Sequence, residues 1–320
     1  MSLQTGRIYV AGHRGLVGSA IVRRLQALGI PSVITRSHAE LDLTNQASVS
    51  AFFEQERPDY VFLCAAKVGG ILANATRPAQ FLFENLAIQT NVIHAAWTNG
   101  VERLLFLGSS CIYPRDCPQP IREEYLLGGP LEATNRPYAV AKIAGIEMCW
   151  AYNRQYGTRF LAAMPTNLYG PGDNYDLETA HVLPSLIRKM HEAKIRNSPD
   201  VVVWGTGQPR REFLFSDDLA DAVVSLMNIP DDALRKIYDS PVHPPLLNIG
   251  CGEDLSILEL AVLVKEIVGF DGDIRLDASR PDGTPRKLLD VSRMRTLGWT
   301  PRTGLREGID RAYRDFLTSA

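Results

Sequence analysis

The stretch Ile8-Tyr9-Val10-Ala11, then Gly12-His13-Arg14-Gly15-Leu16-Val17-Gly18, then Ser19-Ala20-Ile21-Val22 constrains the fold of this chain more than any other. The apolar run reads as a strand, the glycines as a tight turn and residues 16–28 as an amphipathic helix. Glycine lets backbone turn sharply and approach a bound group, while the free N–H groups of a helix start favour negative charge. Strand, glycine loop and helix in that order predict dinucleotide binding by Gly12, His13, Arg14, Gly15, Leu16, Val17 and Gly18. The spacing is GxxGxxG rather than GxGxxG, and the bland alternative is a tight turn in an unrelated α/β fold.

The rest of the first half repeats the pattern. Apolar runs at 32–35, 60–65 and 103–107 alternate with helix-length stretches near 79–98 and 138–156. In the earlier stretch Leu82, Leu86, Ile93 and Trp97 share one helical face. Alternating strands and helices predict an α/β fold, a Rossmann-type doubly wound parallel sheet. After about residue 165 prolines interrupt the chain, loops and short elements dominate, and helices are expected at 181–194, 217–228 and 256–268. This texture suggests a smaller C-terminal α/β substrate lobe. The expected division gives 1–165 to the dinucleotide domain, with about 215–245 returning to it, and 166–214 and 246–320 to the lobe. Residues 230–245 carry no readable motif.

Composition excludes several classes. With 34 Lys+Arg against 36 Asp+Glu, the formal charge of −2 argues against a broad nucleic-acid surface, though not against local basic pockets. No apolar run reaches the ~18 residues a membrane helix needs, and no secretory signal is evident. The five cysteines form no CxxC pair, so a reducing cytoplasm is expected. The histidines form no metal-ligand spacing, and no metal is expected.

The second strand bears on the coenzyme. An acidic residue about 20 residues beyond the loop would bind an NAD ribose. Instead Val33-Ile34-Thr35-Arg36-Ser37-His38 ends in Arg36, and Arg14 lies in the glycine loop. Cations suit a 2′-phosphate, so NADP(H) is favoured over NAD. Glu40 and Asp42 remain able to reach the ribose, and His38 stands where a second cation would help.

Leu107-Gly108-Ser109-Ser110-Cys111-Ile112-Tyr113-Pro114 follows the run at 103–107, which puts small polar groups at a strand end where open sheets bind ligands. Tyr138 and Lys142 in Tyr138-Ala139-Val140-Ala141-Lys142 share a helix face at i and i+4. An ammonium ~4 Å from a phenolate is worth up to roughly 4 kcal/mol at an effective dielectric of 20, so Lys142 is expected to lower the Tyr138 phenol. YxxxK alone is common and is usually an ordinary helix face. Together with the glycine loop and Ser109 in this order, it resembles the extended short-chain dehydrogenase/reductase family over nearly the whole chain. That resemblance implies that Ser109 holds a carbonyl, that Tyr138 exchanges its proton and that Lys142 tunes Tyr138 and contacts the cofactor. It implies cofactor contacts at Leu107, Gly108, Ser109 and Ser110. Met164-Pro165-Thr166-Asn167-Leu168-Tyr169-Gly170-Pro171 matches the family's crossover from cofactor to substrate, with contacts at Pro165, Thr166, Asn167 and Leu168. Arg211-Glu212-Phe213-Leu214-Phe215-Ser216-Asp217-Asp218-Leu219 resembles its nucleotide-sugar stretch.

A simple reductase needs no further acid–base pair, which makes Cys111 and His181 informative. A thiolate accepts a proton, and an imidazole can donate one near neutrality. Singly, each is more often structural. Gly-Ser-Ser-Cys-Ile-Tyr-Pro, Pro-Tyr-Ala-Val-Ala-Lys-Ile-Ala-Gly, Met-Pro-Thr-Asn-Leu-Tyr-Gly-Pro and Pro-Asp-Gly-Thr-Pro-Arg-Lys-Leu-Leu-Asp-Val are similar to the family branch that makes GDP-L-fucose from GDP-4-keto-6-deoxy-D-mannose. This resemblance implies C3/C5 epimerisation by Cys111 and His181, then C4 reduction, with His181 also touching the cofactor. It makes 166–214 and 246–320 the GDP-sugar domain. Arg211 is the leading cation for the diphosphate, with Arg188, Lys189 and Lys287 behind it. Trp204 and Asp282 match substrate positions, although an aromatic covering an apolar face and a loop acid making a turn are their ordinary readings. A homodimer through the helices at 79–98 and 138–156 is expected from the same source.

Two rivals stay in view. An NAD-retaining 4-epimerase would not require Cys111 and His181, and a 4,6-dehydratase would be expected to carry an Asp-Glu pair where this chain has Cys111-Ile112. A nonenzymatic NADP sensor would not require Ser109, Tyr138 and Lys142 together.

Overall fold

A computed structural model describes residues 3–280 and 282–319. Pro281, the first residue of the last string above, lies outside the described residues. In chain order the first half holds β1 (Ile8–Ala11), α1 (Leu16–Ala27), β2 (Val33–Ile34), α2 (Gln46–Glu56), β3 (Tyr60–Leu63), α3 (Ile71–Thr76), α4 (Pro78–Thr98), β4 (Arg103–Leu107), α5 (Arg136–Tyr156) and β5 (Phe160–Pro165). The second half holds β6 (Asn167–Tyr169), α6 (Val182–Ile195), β7 (Asp200–Trp204), β8 (Arg210–Arg211), β9 (Phe213–Phe215), α7 (Ser216–Asn228), α8 (Asp231–Tyr238) and β10 (Leu246–Ile249). It closes with β11 (Leu255–Ser256), α9 (Ile257–Val268), β12 (Asp273–Asp277), β13 (Arg286–Lys287), α10 (Ser292–Thr296) and α11 (Leu305–Ser319).

Among the described residues, six strands form one sheet in the order β10-β5-β4-β3-β1-β2. Every neighbouring pair in it is parallel. The doubly wound expectation is met. Strands buried on both faces read as nearly continuous apolar runs, and β1, β3, β4 and β5 are buried along their whole lengths, Arg103 at the start of β4 being paired with Asp231. Side-chain alternation distributes them between two cores. Tyr9 and Ala11 join Phe53, Val92 and Ile146 beneath α2, α4 and α5. Ile8 and Val10 join Ile21, Leu25, Leu219 and Val223 beneath α1 and α7.

Residues of α7, together with Leu234 and Tyr238 of α8, belong to the same core as α1. The boundary expected at 246 does not hold. Leu246↔Ala162 through Ile249↔Pro165 makes β10 the edge strand beside β5, and Met294 and Trp299 pack into the sheet core. Loops conceal this in the sequence, because β10 is only four residues, Leu-Leu-Asn-Ile, between proline- and glycine-rich segments.

The remaining lobe has its own core, made by α6, α9, α11 and the small strands. Its sheets are short: β6 pairs β9, β7 pairs β12, and β8 lies between β11 and β13. Each joins segments far apart in sequence.

Candidate active site

At the glycine loop, Gly12 has φ +83, a conformation that favours glycine, and a side chain there would meet the backbone of Ala65 at 2.7 Å. A Cβ on Gly18 would lie 2.1 Å from the Gly12 carbonyl oxygen, so α1 starts hard against the turn. No side chain caps α1 at Gly15. The first N–H groups of the helix are therefore left for a ligand beside the crevice between β1 and β3, and these residues fit a pyrophosphate.

Beyond β2, Arg36 donates to the Thr35 carbonyl and pairs with Glu56 at 2.5 Å. It is half-buried against the Phe52 ring, so part of its charge is already committed. Arg14 is exposed and makes no ion pair among the described residues. The two acids that competed for the ribose are engaged locally. Glu40 accepts from the backbone and hydroxyl of Ser37, and Asp42 accepts from those of Thr44. These hydrogen bonds hold both carboxyls below their ordinary range, Glu40 with help from Arg36 and Arg14. His38 is 3.9 Å from Asp42 and contributes to neither cation.

The end of β4 carries the chemistry. Gly108 donates to the Ala163 carbonyl at 2.9 Å, which fastens the strand end to β5. The chain then folds into a short 3-10 turn over Ser110–Ile112. The Ser109 hydroxyl lies close enough to the Tyr138 phenol and to the Cys111 thiol to favour the ionised form of each. Tyr138 reaches it because α5 starts at Arg136, with Pro137 in its first turn, two residues earlier than the sequence reading placed it. Phe81 of α4 holds the phenol ring edge-on, centroids 6.3 Å apart. No sequence signal pointed to that support.

Lys142 is buried and donates to the Leu107 carbonyl at 2.8 Å. Its ammonium lies over the Phe106 ring at 4.8 Å and 5.8 Å from the Tyr138 ring centre. The expected lowering of the Tyr138 phenol is not found. Burial, with the Cys111 charge behind it, raises that phenol well above 10, because Lys142 is tied to Leu107 rather than to the phenol oxygen. Burial in turn pulls Lys142 down to about 8. The Cys111 thiol is also raised, with burial outweighing the nearby charges of Lys287 and Lys142.

The segment after β5 is fastened to both neighbouring parts of the chain. Pro165 ends β5, the Thr166 N–H donates to Ile249, and the side chains of Thr166 and Asn167 both donate to the Glu212 carbonyl. Leu168 continues into β6 against Leu214. His181 is the residue before α6 and caps it with no side-chain bond. The backbone of Thr179 and Ala180 lies against Gly70, just before α3. His181 is exposed at the surface, yet the cleft crowds its ring enough for desolvation to press its pKa down. No hydrogen bond joins His181 to Cys111 among the described residues.

The lobe brings its cations together through strand register. Arg211 and Lys287 sit directly side by side on β8 and β13. The alternation of a strand sends Arg210 the other way, onto Asp254 and Glu259. Lys189 stacks its ammonium 5.4 Å from the Trp204 ring, with Arg280 at 4.9 Å. Trp204 is 58% exposed, an aromatic face open to a ligand. Two expectations change. Arg188 is tied to Glu192 and to the Tyr175 carbonyl, so it is no free phosphate cation. Both oxygens of Asp282 accept from Thr206, which makes it the clamp of the turn beneath Trp204.

Two organising residues escaped the sequence reading. Buried Glu212 accepts from the backbone of Gly252 and Leu289. Gln119 accepts from Leu288 N–H and donates to the Arg286 carbonyl, gripping the chain on both sides of Lys287. Single glutamates and glutamines in loops carry no signature of such remote partners.

A Rossmann sheet with serine at the end of β4 and a Tyr-Lys pair on α5 defines a nucleotide-cofactor oxidoreductase of the short-chain type. The model of the NAD dependent epimerase/dehydratase family matches residues 8–239, and the chain belongs to that family. It is 56% identical to GDP-L-fucose synthase 1 of Arabidopsis thaliana over 317 residues, 99% of this chain and 95% of the relative. Among solved structures it superposes on a GDP-6-OMe-4-keto-L-xylo-heptose reductase from C. jejuni with TM-score 0.94, at 40% identity over the whole of both chains. A GDP-L-fucose synthetase from Naegleria fowleri bound to NADP gives TM-score 0.90 at 28% identity, covering 100% of this chain and 95% of that one.

Proposed function

We propose that this chain converts GDP-4-keto-6-deoxy-D-mannose to GDP-L-fucose by epimerisation at C3 and C5 and NADPH-dependent reduction at C4. The observation that carries the reading is Ser109 placed beside both Tyr138 and Cys111 at the end of β4. A reductase needs the first pairing, and only proton transfer at carbon gives the second a purpose.

The C4 ketone acidifies the hydrogens on C3 and C5. The Cys111 thiolate removes one as a proton, forming an S–H bond, and the electron pair moves into an enolate. Ser109 and Tyr138 direct their O–H groups at the enolate oxygen. His181, on a different element, returns a proton from the other face, and exchange with solvent resets both groups before the second carbon reacts. NADPH, when bound, supplies the hydride for C4. Tyr138 then gives its proton to the C4 oxygen, a role suited to a phenol kept neutral by its surroundings.

Gly12 through Gly18 would hold the pyrophosphate, and Lys142, Leu107–Ser110, Pro165–Leu168 and His181 line the path of the nicotinamide half. Arg14 is the freer 2′-phosphate cation and Arg36 the supporting one. Arg211 binds the GDP diphosphate, while Trp204 and Lys189 cover the nucleotide. The test is incubation with GDP-4-keto-6-deoxy-D-mannose in D2O without NADPH. Deuterium at C3 and C5 is expected. A folded enzyme that reduces the ketone without any exchange is a reductase alone, and the epimerase half of the proposal fails.

The exposed Phe83, Val140 and Tyr156 on the paired helices α4 and α5 support a homodimer through that face. A concentration-independent 35.4 kDa species in sedimentation would overturn it. All five cysteines are free, which suits a reducing cytoplasm. No helix among the described residues is long and apolar enough to cross a membrane.

A further inference from the structure

Lys287 was expected to serve the diphosphate, but its surroundings point elsewhere. Together with Cys111 it lines a small cavity whose other walls include Ser110, Tyr113, Gln119 and Thr284. The two side chains are near enough for each to feel the other's charge. Lys287 is half-buried and makes no ion pair among the described residues. The carboxylate that faces it, Glu132, is already paired with Arg115 at 3.3 Å.

The backbone around Lys287 is held unusually firmly for a two-residue strand. Gln119 grips the Arg286 carbonyl and the Leu288 N–H, Ile121 donates to the Leu288 carbonyl at 2.7 Å, and Glu212 accepts from Leu289. Gln119 and Ile121 lie on the loop that leaves Cys111. The segment that carries the thiol is thus fastened to the segment that carries the ammonium. A phosphate cation in an open cleft needs no such tie to residues 119–121, whereas a fixed charge partner for a thiolate does.

We propose that Lys287 is a positioning residue for proton transfer, its ammonium stabilising the thiolate of Cys111. The inference deepens the epimerase reading and rests on it for its purpose. The physical basis is simple: a neighbouring cation favours the thiolate, and a buried thiol without one stays protonated. The groups that face Cys111 are Lys287 from β13, Lys142 and Tyr138 from α5, and Ser109 from its own turn. Those that face Lys287 are Cys111, Arg211, Glu132 and Cys117. Lys142 donates to the Leu107 carbonyl, whereas the Lys287 ammonium makes no hydrogen bond among the described residues.

The experiment is alkylation of the full-length enzyme, without substrate, by iodoacetamide across pH 6 to 10, read by mass spectrometry. Trypsin cuts after Arg115, so Cys111 and Cys117 are scored on separate peptides. In Lys287→Met the Cys111 midpoint should rise by about one pH unit, which is about a tenfold slower alkylation at neutral pH. Lys287→Arg should restore most of the rate. NADPH binding by Lys287→Met, unchanged within twofold, shows that the fold is intact. An unshifted Cys111 midpoint with only a raised KM for the GDP-sugar would overturn the proposal and return Lys287 to phosphate binding. A shifted midpoint in an enzyme that gives no C3/C5 exchange would sustain the charge pairing and sink the epimerase reading instead.

Discussion

The two halves of the site are built by different means. The cofactor half hangs on β1, β4 and α5, and each functional stretch is continuous in sequence: residues 12–18, 107–111 and 138–142. The sugar half is assembled from fragments. Arg211, Lys287, Trp204 and Asp282 come from four segments, and their neighbours are set by the pairings of β8 with β13 and β7 with β12. A deep parallel sheet fixes the first half. The second depends on two-residue strands and on side-chain clamps such as Glu212, Gln119 and Asp282.

The comparison predicts that the halves fail separately. The largest effects should come at their junction. Cys111→Ala should slow deuterium exchange at C3 and C5 by about 10²- to 10⁴-fold, the range of general acid–base catalysis. Tyr138→Phe should cut C4 reduction by a similar factor and exchange by at most about tenfold. Equal losses of both activities would mean that the two proton-transfer roles are not separate.

Next in size is a lesion confined to the cofactor half. Gly18→Ala forces a methyl to within 2.1 Å of the Gly12 carbonyl. Overpacking of this kind costs about 1–3 kcal/mol, or roughly 5- to 150-fold in NADPH affinity if the loop bears the strain. Exchange without reductant should survive, as measured by NMR in D2O. Loss of exchange as well would show that the loop also organises the sugar half.

A matching lesion in the lobe is Arg211→Ala, which removes a charge-assisted contact worth about 1.5–3 kcal/mol. The KM for the GDP-sugar should rise about 10- to 100-fold while the NADPH Kd stays within twofold. The smallest effect is expected for Arg36→Ala. With Glu56 already holding that guanidinium, discrimination of NADPH from NADH should fall only a few-fold, and Arg14→Ala should cost more. The reverse order would put the 2′-phosphate on Arg36.

The pH dependence of exchange tests whether the two elements supply separate acid and base. Burial holds the Cys111 thiol above its ordinary value and His181 below its own. The active form needs a thiolate and an imidazolium, so the thiolate fraction gained with rising pH offsets the imidazolium fraction lost. Exchange should climb below the ordinary imidazole range, stay level through neutrality and fall above the ordinary thiol range. A sharp maximum near neutrality would exclude this pairing.

Much of the cofactor half was legible because its physics is local. A glycine loop, an apolar strand and an i, i+4 pair state their geometry within a few residues. The extent of the sheet was less legible: β10 is a strand because β5 offers it an edge, not because of its four residues alone. The sugar half was legible only as a roster of cations. Arg188 and Arg211 look alike in sequence, and only the neighbouring Glu192 and the strand alternation at 210–211 separate a structural arginine from an available one.

The sequence by itself determined the doubly wound class, the strand–glycine turn–helix unit and the shared helix face of Tyr138 and Lys142, since backbone turns and helical spacing are short-range constraints. The tertiary structure decided which charges are free and which protons are held. Burial raised Tyr138 rather than letting Lys142 lower it, Glu56 claimed part of Arg36, and the tie between 119–121 and 286–289 put Lys287 beside Cys111. Desolvation and charge pairing depend on atoms brought together from distant parts of the chain, and no local pattern encodes them.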